Sequence, residues 1–465
     1  MEPFESEGLF WLPEAEEQQI AGKISFTHSE GVKLYLIGGF SEFQSFTNLN
    51  DVARFPIIHG VAGKRYLTLQ DCTRSSYRIE FPGMLREDYR AVTLFAGQTL
   101  LTSDDQHFTE VTVRFNNLWD WTQRTIISQN YTFDSDSKLT SATLTLTPLE
   151  TEEHEIAGGK LALISRWNIP GGQQQDRGFE QDFSLRLTYD DPVDLAHIRN
   201  DVATLQDLIS ATSDSACLPT DISLWITEES DGSTETARLN LYGQQSAQSM
   251  TQKSNSVEFL LHLDEIGGLP AIGRWLDFLR DRRIVLGLAL SSRYRAMYVE
   301  NKFFNAVSSA ETLHRMEFPN HVMPTADYKE FRDLLVGYVP EEHRRWLKEQ
   351  LAFSNEPRLR GRIKELAEFC GLPAVLECDA DQWARAVTNT RNRMVHHDDR
   401  KGPRASNAQF YWMSESLQLL VLLCLAKFCK FQDGYLAKIK ASDTVDLIAR
   451  RVRELLDPKK ANDSA

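Results

Sequence analysis

The spacing of apolar residues changes once along the chain. Up to about residue 280, apolar and polar positions alternate over short runs. KLYLIGGF (33–40), RYLTLQDC (65–72), AVTLFAG (91–97), TEVTVRFNNLWDW (109–121), TSATLTLTPL (140–149), KLALISRWNI (160–169), FSLRLTY (183–189) and ISLWIT (222–227) are rich in β-branched and aromatic residues, and Gly, Asp, Asn, Ser and Pro separate them. A period near two predicts strands with one buried face. DPVDLAHIRNDVATLQDLISA (191–211) interrupts them with apolar residues at helical spacing after a DP start, so a helical insert is expected there. The pattern as a whole predicts a large antiparallel β-sandwich or barrel.

Beyond about residue 268 the period becomes helical. The run from PAIGRW to LHRM reads as one or two helices, and PNHVMPTAD (319–327) as a linker with two prolines. Six helical segments then follow closely: YKEFRDLLVGYV, PEEHRRWLKEQLAFS, EPRLRGRIKELAEFCG, DADQWARAVTNTRNRMV, NAQFYWMSESLQLLVLLCLAKFCKF and SDTVDLIARRVRELLD. Pro340 and Pro357 sit near helix starts and Gly371 follows a helix end. Short loops between helices predict an antiparallel bundle. The expected fold class is therefore α+β and multidomain, with a β-rich domain over 1–310 and an all-α bundle over 320–465.

Charge divides along the same line. Residues 1–280 hold 21 Lys and Arg against 41 Asp and Glu, a net of −20; residues 281–465 hold 30 against 25, a net of +5. A polyanion would prefer the second part, although +5 is a weak field. The six cysteines make neither a C-x-x-C pair nor a disulfide framework, which suits a reducing cytosol. The acidic N-terminus carries too short an apolar run for a signal peptide. LQLLVLLCLA (417–426) is about half the length that spans a bilayer, so a buried helix is expected.

Candidate chemistry concentrates in TRNRMVHHDD (389–398), which ends a helical segment and opens the polar loop DDRKGPR. Asn392 and His396 are four apart and share a helical face. Arg391 and His396 are five apart, roughly 140° around an ideal helix, so they converge only if the helix ends near His396 or a second chain completes the pair. An arginine fork holds phosphate, a histidine moves protons near neutrality, and an asparagine can orient either. RNA brings its own nucleophile, the 2′-hydroxyl, so this set suffices for cleavage without metal or cofactor. Taken alone, the spacing is commoner as a solvated helix end.

The neighbouring readings are weaker. His396, His397, Asp398 and Asp399 read poorly as a metal site, because adjacent residues rarely converge on one ion. RLRGRIK (358–364) could attract phosphate but reads first as a solvated helix face. GGLPAIGR (267–274) lacks a P-loop lysine and a dinucleotide fingerprint, and no G-x-S-x-G or H-E-x-x-H is present. Trp119 and Trp121 could stack a base or a sugar, but core packing is the more common use.

RNRMVH (391–396) matches the R-x4-H motif of HEPN domains. The wider TRNRMVHHDD run, with a long apolar helix after it and EPRLRGRIKELAEF before it, resembles the HEPN domain of ApeA-like proteins. GLFWLP (8–13), AGKISFTHSEGVKLYLIGGF (21–40) and the NNLWDW stretch are similar to the ApeA N-terminal domain. The resemblance implies a cytoplasmic bacterial anti-phage protein acting by abortive infection. It further implies a metal-independent endoribonuclease that works as a homodimer, with Arg391 and His396 as the catalytic pair and Asn392 as polar companion. His397 receives no role. RNA is the implied substrate, a phage-derived molecule the implied trigger, and the β domain the sensing part; no membrane and no cofactor are implied. Two other readings stay open: a non-catalytic HEPN scaffold for dimerisation or RNA binding, and a carbohydrate-binding β domain.

Overall fold

The computed structural model describes residues 1–40, 53–79, 83–102, 106–169, 178–230, 233–243, 257–396 and 405–457. Two compact units divide the chain, Met1–Arg280 and Asp281–Ala465.

The first unit is built on antiparallel strands: β1 (Phe4–Trp11), β2 (Ile20–Thr27), β3 (Gly31–Ile37), β4 (Arg54–Ala62), β5 (Arg65–Ile79), β6 (Leu85–Ala91), β7 (Thr93–Gly97), β8 (Phe108–Phe115), β9 (Ile127–Phe133), β10 (Leu139–Leu146), β11 (Glu152–Ile156), β12 (Gly159–Asn168), β13 (Glu180–Val193), β14 (Pro219–Ser230) and β15 (Ser233–Gly243). Thirteen of them form one sheet in the order β11-β12-β13-β8-β14-β15-β7-β5-β4-β1-β2-β3-β6, and β5 also pairs with β6. That last pairing closes β5-β4-β1-β2-β3-β6 into a six-stranded barrel. Length makes it possible. The first half of β5 pairs with β4 and β7, and its second half, from Thr73 on, pairs with β6 through a bulge between Arg74 and Ser76.

Alternation fills the barrel. Ile24 and Phe26 on β2 and Leu34 and Leu36 on β3 are buried while their sequence neighbours are more exposed, and Phe10 on β1 is fully buried with them. Gly60 on β4 leaves room for Phe10, because a Cβ there would lie 2.4 Å from the ring. One charge is buried among them. Glu87 pairs with Arg74 at 3.0 Å and accepts hydrogen bonds from the Tyr89 hydroxyl at 2.7 Å and the Phe40 N–H at 2.9 Å. Three donors offset the cost of removing the carboxylate from water.

The rest of the sheet extends as an open wing. Helix α1 (Leu118–Thr122) follows β8, so NNLWDW turns into a short helix instead of continuing the strand. Trp121 is fully buried and donates to the Leu261 carbonyl at 3.0 Å, whereas Trp119 is 44% exposed. Helix α2 (Leu195–Ala211) starts later than the DP pair suggested. Asp191 and Pro192 still belong to β13, and Asp194 caps the helix by accepting the His197 N–H at 2.7 Å. Helices α3 (Leu263–Ile266) and α4 (Gly268–Leu279) end the unit, with Trp275 of α4 donating to the Thr204 carbonyl of α2 at 3.1 Å. Strands β9 and β10 form their own two-stranded sheet, largely exposed.

The second unit is helical: α5 (Arg283–Ala289), α6 (Ser291–Tyr294), α7 (Val299–Glu317), α8 (Thr325–Gly337), α9 (Glu341–Gln350), α10 (Leu359–Cys370), α11 (Leu372–Leu376), α12 (Ala380–His396), α13 (Asn407–Phe428), α14 (Tyr435–Lys440) and α15 (Asp443–Leu456). Thus the α+β, two-part architecture expected from the sequence is the observed one. Pro340 caps α9, and Gly371 ends α10 in the left-handed conformation that suits a glycine. Core helix α13 packs against α7, α10 and α15 and is buried without a break from Ser416 to Ala426. Among the described residues it is the one helix long and apolar enough to cross a membrane, and 72% of that window is buried within the protein. The sequence pattern places the domains at 1–310 and 320–465, with the proline-containing linker at 319–327. The compact units divide at 280/281 because α7 packs with α5 and α13.

Candidate active site

Helix α12 places the R-x4-H segment. Its N-terminal end is set by Asp379, which accepts the Gln382 N–H at 2.8 Å, and by the Asp381–Arg360 ion pair. Its buried stripe is Ala380, Trp383, Ala384, Val387 and Thr390. Helical spacing in the sequence alone predicts a stripe of Trp383, Ala386, Val387, Met394 and Val395. Ala386 and Met394 are only partly buried, and the Val395 side chain lies outside the described residues. The stripe therefore runs one step around the helix from the expected line, on the small residues Ala384 and Thr390.

Two polar contacts fix this helix against the core helix. Trp383 Nε1 donates to Ser416 Oγ at 3.1 Å in a fully buried contact. Nearer the motif, Gln409 Nε2 donates to Thr390 Oγ1 at 2.8 Å, while Thr390 donates to the Ala386 carbonyl at 2.8 Å. Gln409 is in the first turn of α13, capped by Ser406. Residue 390 and the start of α13 are thus tied together across the intervening loop.

Arg391 follows Ala384 by seven positions and Val387 by four, so it continues the buried stripe. It is half-buried. Its Nη1 donates to Asn392 Oδ1 at 3.4 Å, and no carboxylate pairs with it among the described residues. A solvated helix end would leave such an arginine in water or in an exposed ion pair. Here the guanidinium is partly desolvated, and among the described residues Asn392 is its one hydrogen-bond partner. Asn392 turns its Oδ1 toward the Arg391 guanidinium. His396 is the last residue of α12; its side chain, with His397, Asp398 and Asp399, lies outside the described residues.

The basic run 358–364 is neither a free phosphate strip nor a simple solvated face. Arg360 pairs with Asp381, and Arg362 is fully buried. Arg362 Nη1 donates to Asn320 Oδ1 at 2.6 Å and to His314 Nδ1 at 3.0 Å. With Nδ1 accepting, His314 carries its proton on Nε2, which donates to Glu365 at 2.8 Å. Burial pushes the His314 imidazole below its ordinary range; the Glu365 hydrogen bond opposes this and the Arg362 charge adds to it. Sequence reasoning passed over this cluster, and the basic spacing of 358–364 pointed to solvent, away from it. Among the described residues no group of three His, Cys, Asp or Glu is placed to hold a metal ion.

With the geometry in place, comparison with known proteins decides the family. The family model for ApeA N-terminal domain 1 matches residues 5–275, and the Apea-like HEPN model matches residues 304–435. The chain belongs to the ApeA family. Residues 391–396 fall inside the ApeA-type HEPN match, in a domain class whose members are generally ribonucleases; the coarse assignment is a HEPN-type nuclease and defence family. No curated protein and no solved structure matches the chain.

Proposed function

We propose that the protein is a metal-independent endoribonuclease of anti-phage defence, cutting RNA with Arg391 and His396. The observation that carries the proposal is Arg391 itself: half-buried, without a carboxylate partner among the described residues, and five positions before a histidine that ends its helix. In this reading His396 takes the proton of a ribose 2′-hydroxyl, whose oxygen attacks the adjacent phosphorus. Arg391 holds the non-bridging oxygens as charge builds on them. The 5′-oxygen departs with a returned proton, leaving a 2′,3′-cyclic phosphate and a 5′-hydroxyl. Asn392 fixes the guanidinium. Proton transfer and charge compensation both come from side chains, so no metal or cofactor is required.

The 140° between positions 391 and 396 favours a homodimer in which each Arg391 serves with the other copy's His396. Helices α8 and α9 offer an apolar surface for a second copy. They bury only Val336, while Leu334, Tyr338, Trp346 and, just beyond α9, Phe353 are 56%, 79%, 60% and 77% exposed. The first unit is the sensing part, answering a phage-derived trigger in the cytoplasm. Arg391→Ala and His396→Ala should each lower RNA cleavage by about 100-fold or more with the melting temperature unchanged. Full cleavage in both variants removes Arg391 and His396 from the reaction, and RNA binding without cleavage by the wild type favours the non-catalytic scaffold.

A further inference from the structure

On the outer wall of the barrel, strand register sets two neighbouring rows of side chains. One row holds Glu7, Lys23, Tyr35, Asp88 and Ser76 on β1, β2, β3, β6 and β5. Most of it is engaged: Lys23 pairs with Glu5 at 3.1 Å and lies 5.8 Å from the Tyr35 ring, and Ser76 donates to Asp88 at 2.6 Å; Glu7, Lys23 and Asp88 line the polar side of the groove described below. The other row is not. Leu9 stands opposite Ala21, Ile37 opposite Arg86, and Arg86 opposite Arg78. Leu9 and Ile37 are 45% and 55% exposed. Arg78 and Arg86 are exposed and make no hydrogen bond or ion pair among the described residues. Like charges directly opposite on paired strands repel. Here two arginines accept that position, and among the described residues no carboxylate pairs with either.

The same residues border a groove of about 820 Å³, with Tyr35 and Tyr77 also in its wall. That volume lies in the range of small-molecule sites. We propose that the groove binds a nucleotide: the Arg78 and Arg86 forks take its phosphate, and the tyrosines with Leu9 and Ile37 take its ring. One observation favours a small anion over a long polyanion. The first unit carries a net charge of −20, which opposes a long polyanion but costs a ligand of one or two charges little. The site is independent of whether the second unit cuts RNA.

The test is calorimetric titration of the full-length protein with AMP, GMP, CMP and UMP at low salt, beside inorganic phosphate and an oligo-glutamate peptide. At least one nucleotide should bind, more tightly than phosphate, and Arg78→Ala and Arg86→Ala should each weaken it about 10-fold. Melting curves of the same variants without ligand should be unchanged or raised, since a like-charge neighbour is gone; this separates loss of the site from loss of the fold. Absence of nucleotide binding to a wild type that melts normally overturns the proposal. So does equal affinity in the Arg78→Ala/Arg86→Ala double variant, or tighter binding of the acidic peptide than of every nucleotide.

Discussion

The Gln409 side-chain amide donates to Thr390 Oγ1 at 2.8 Å, so the first turn of α13 grips the residue immediately before Arg391. Thr390 is fully buried and hands its own proton to the Ala386 carbonyl. The hydroxyl therefore uses both its donor and an acceptor position, and it holds the end of α12 against the core helix.

Thr390→Val keeps the shape of the side chain and removes both contacts. It strands the Gln409 amide and should destabilise the second unit by ~1–2 kcal/mol. Cleavage should fall more than that loss implies, because Arg391 loses its fixed neighbour. Melting curves and initial cleavage rates measured on one preparation check this. A rate equal to wild type would show that the tether does not position the arginine.

Trp346→Glu/Phe353→Glu changes two exposed residues of the α8–α9 region, so folding stability should stay within about 0.5 kcal/mol of wild type. Light scattering should show a dimer for wild type and a monomer for the variant, with cleavage lost. A dimeric variant would place the contact between copies elsewhere.

His314 predicts a pH effect of definite sign. Its folded imidazole is held below the ordinary value, first by burial, so the unfolded chain takes up a proton that the folded chain refuses. The resulting stability is complete above the unfolded value of about 6.5 and is lost as pH falls through and below it. Wild type should melt progressively lower from neutral to mildly acidic pH, and His314→Gln should show a shallower dependence. An identical slope in both would exclude His314 as the titrating group.

How much of this was legible in the sequence differs from element to element. Strands such as β12 and β13 stood out because long alternating runs leave few other options. The closure of the barrel did not, since it depends on one bulged strand, β5, whose second half is exposed and carries few apolar residues. Short α1 hid inside a strand-like run because the burial of Trp121 and its bond to a carbonyl 140 residues away are tertiary facts. At the candidate site, the spacing put Asn392 and His396 on one helical face and Arg391 away from His396. Only packing showed that Ala384 and Thr390 carry the buried stripe and bring Arg391 onto it. Likewise, nothing in the spacing of 358–364 distinguishes the buried Arg362 from its solvent-facing neighbours.

The most direct measurement is to incubate purified protein with total RNA in EDTA and map the cut ends, wild type beside Arg391→Ala. The account predicts 2′,3′-cyclic phosphate and 5′-hydroxyl ends in the wild-type reaction and none above background in the variant. Ends bearing 5′-phosphate, cleavage abolished by the chelator, or equal cutting by the variant would contradict it.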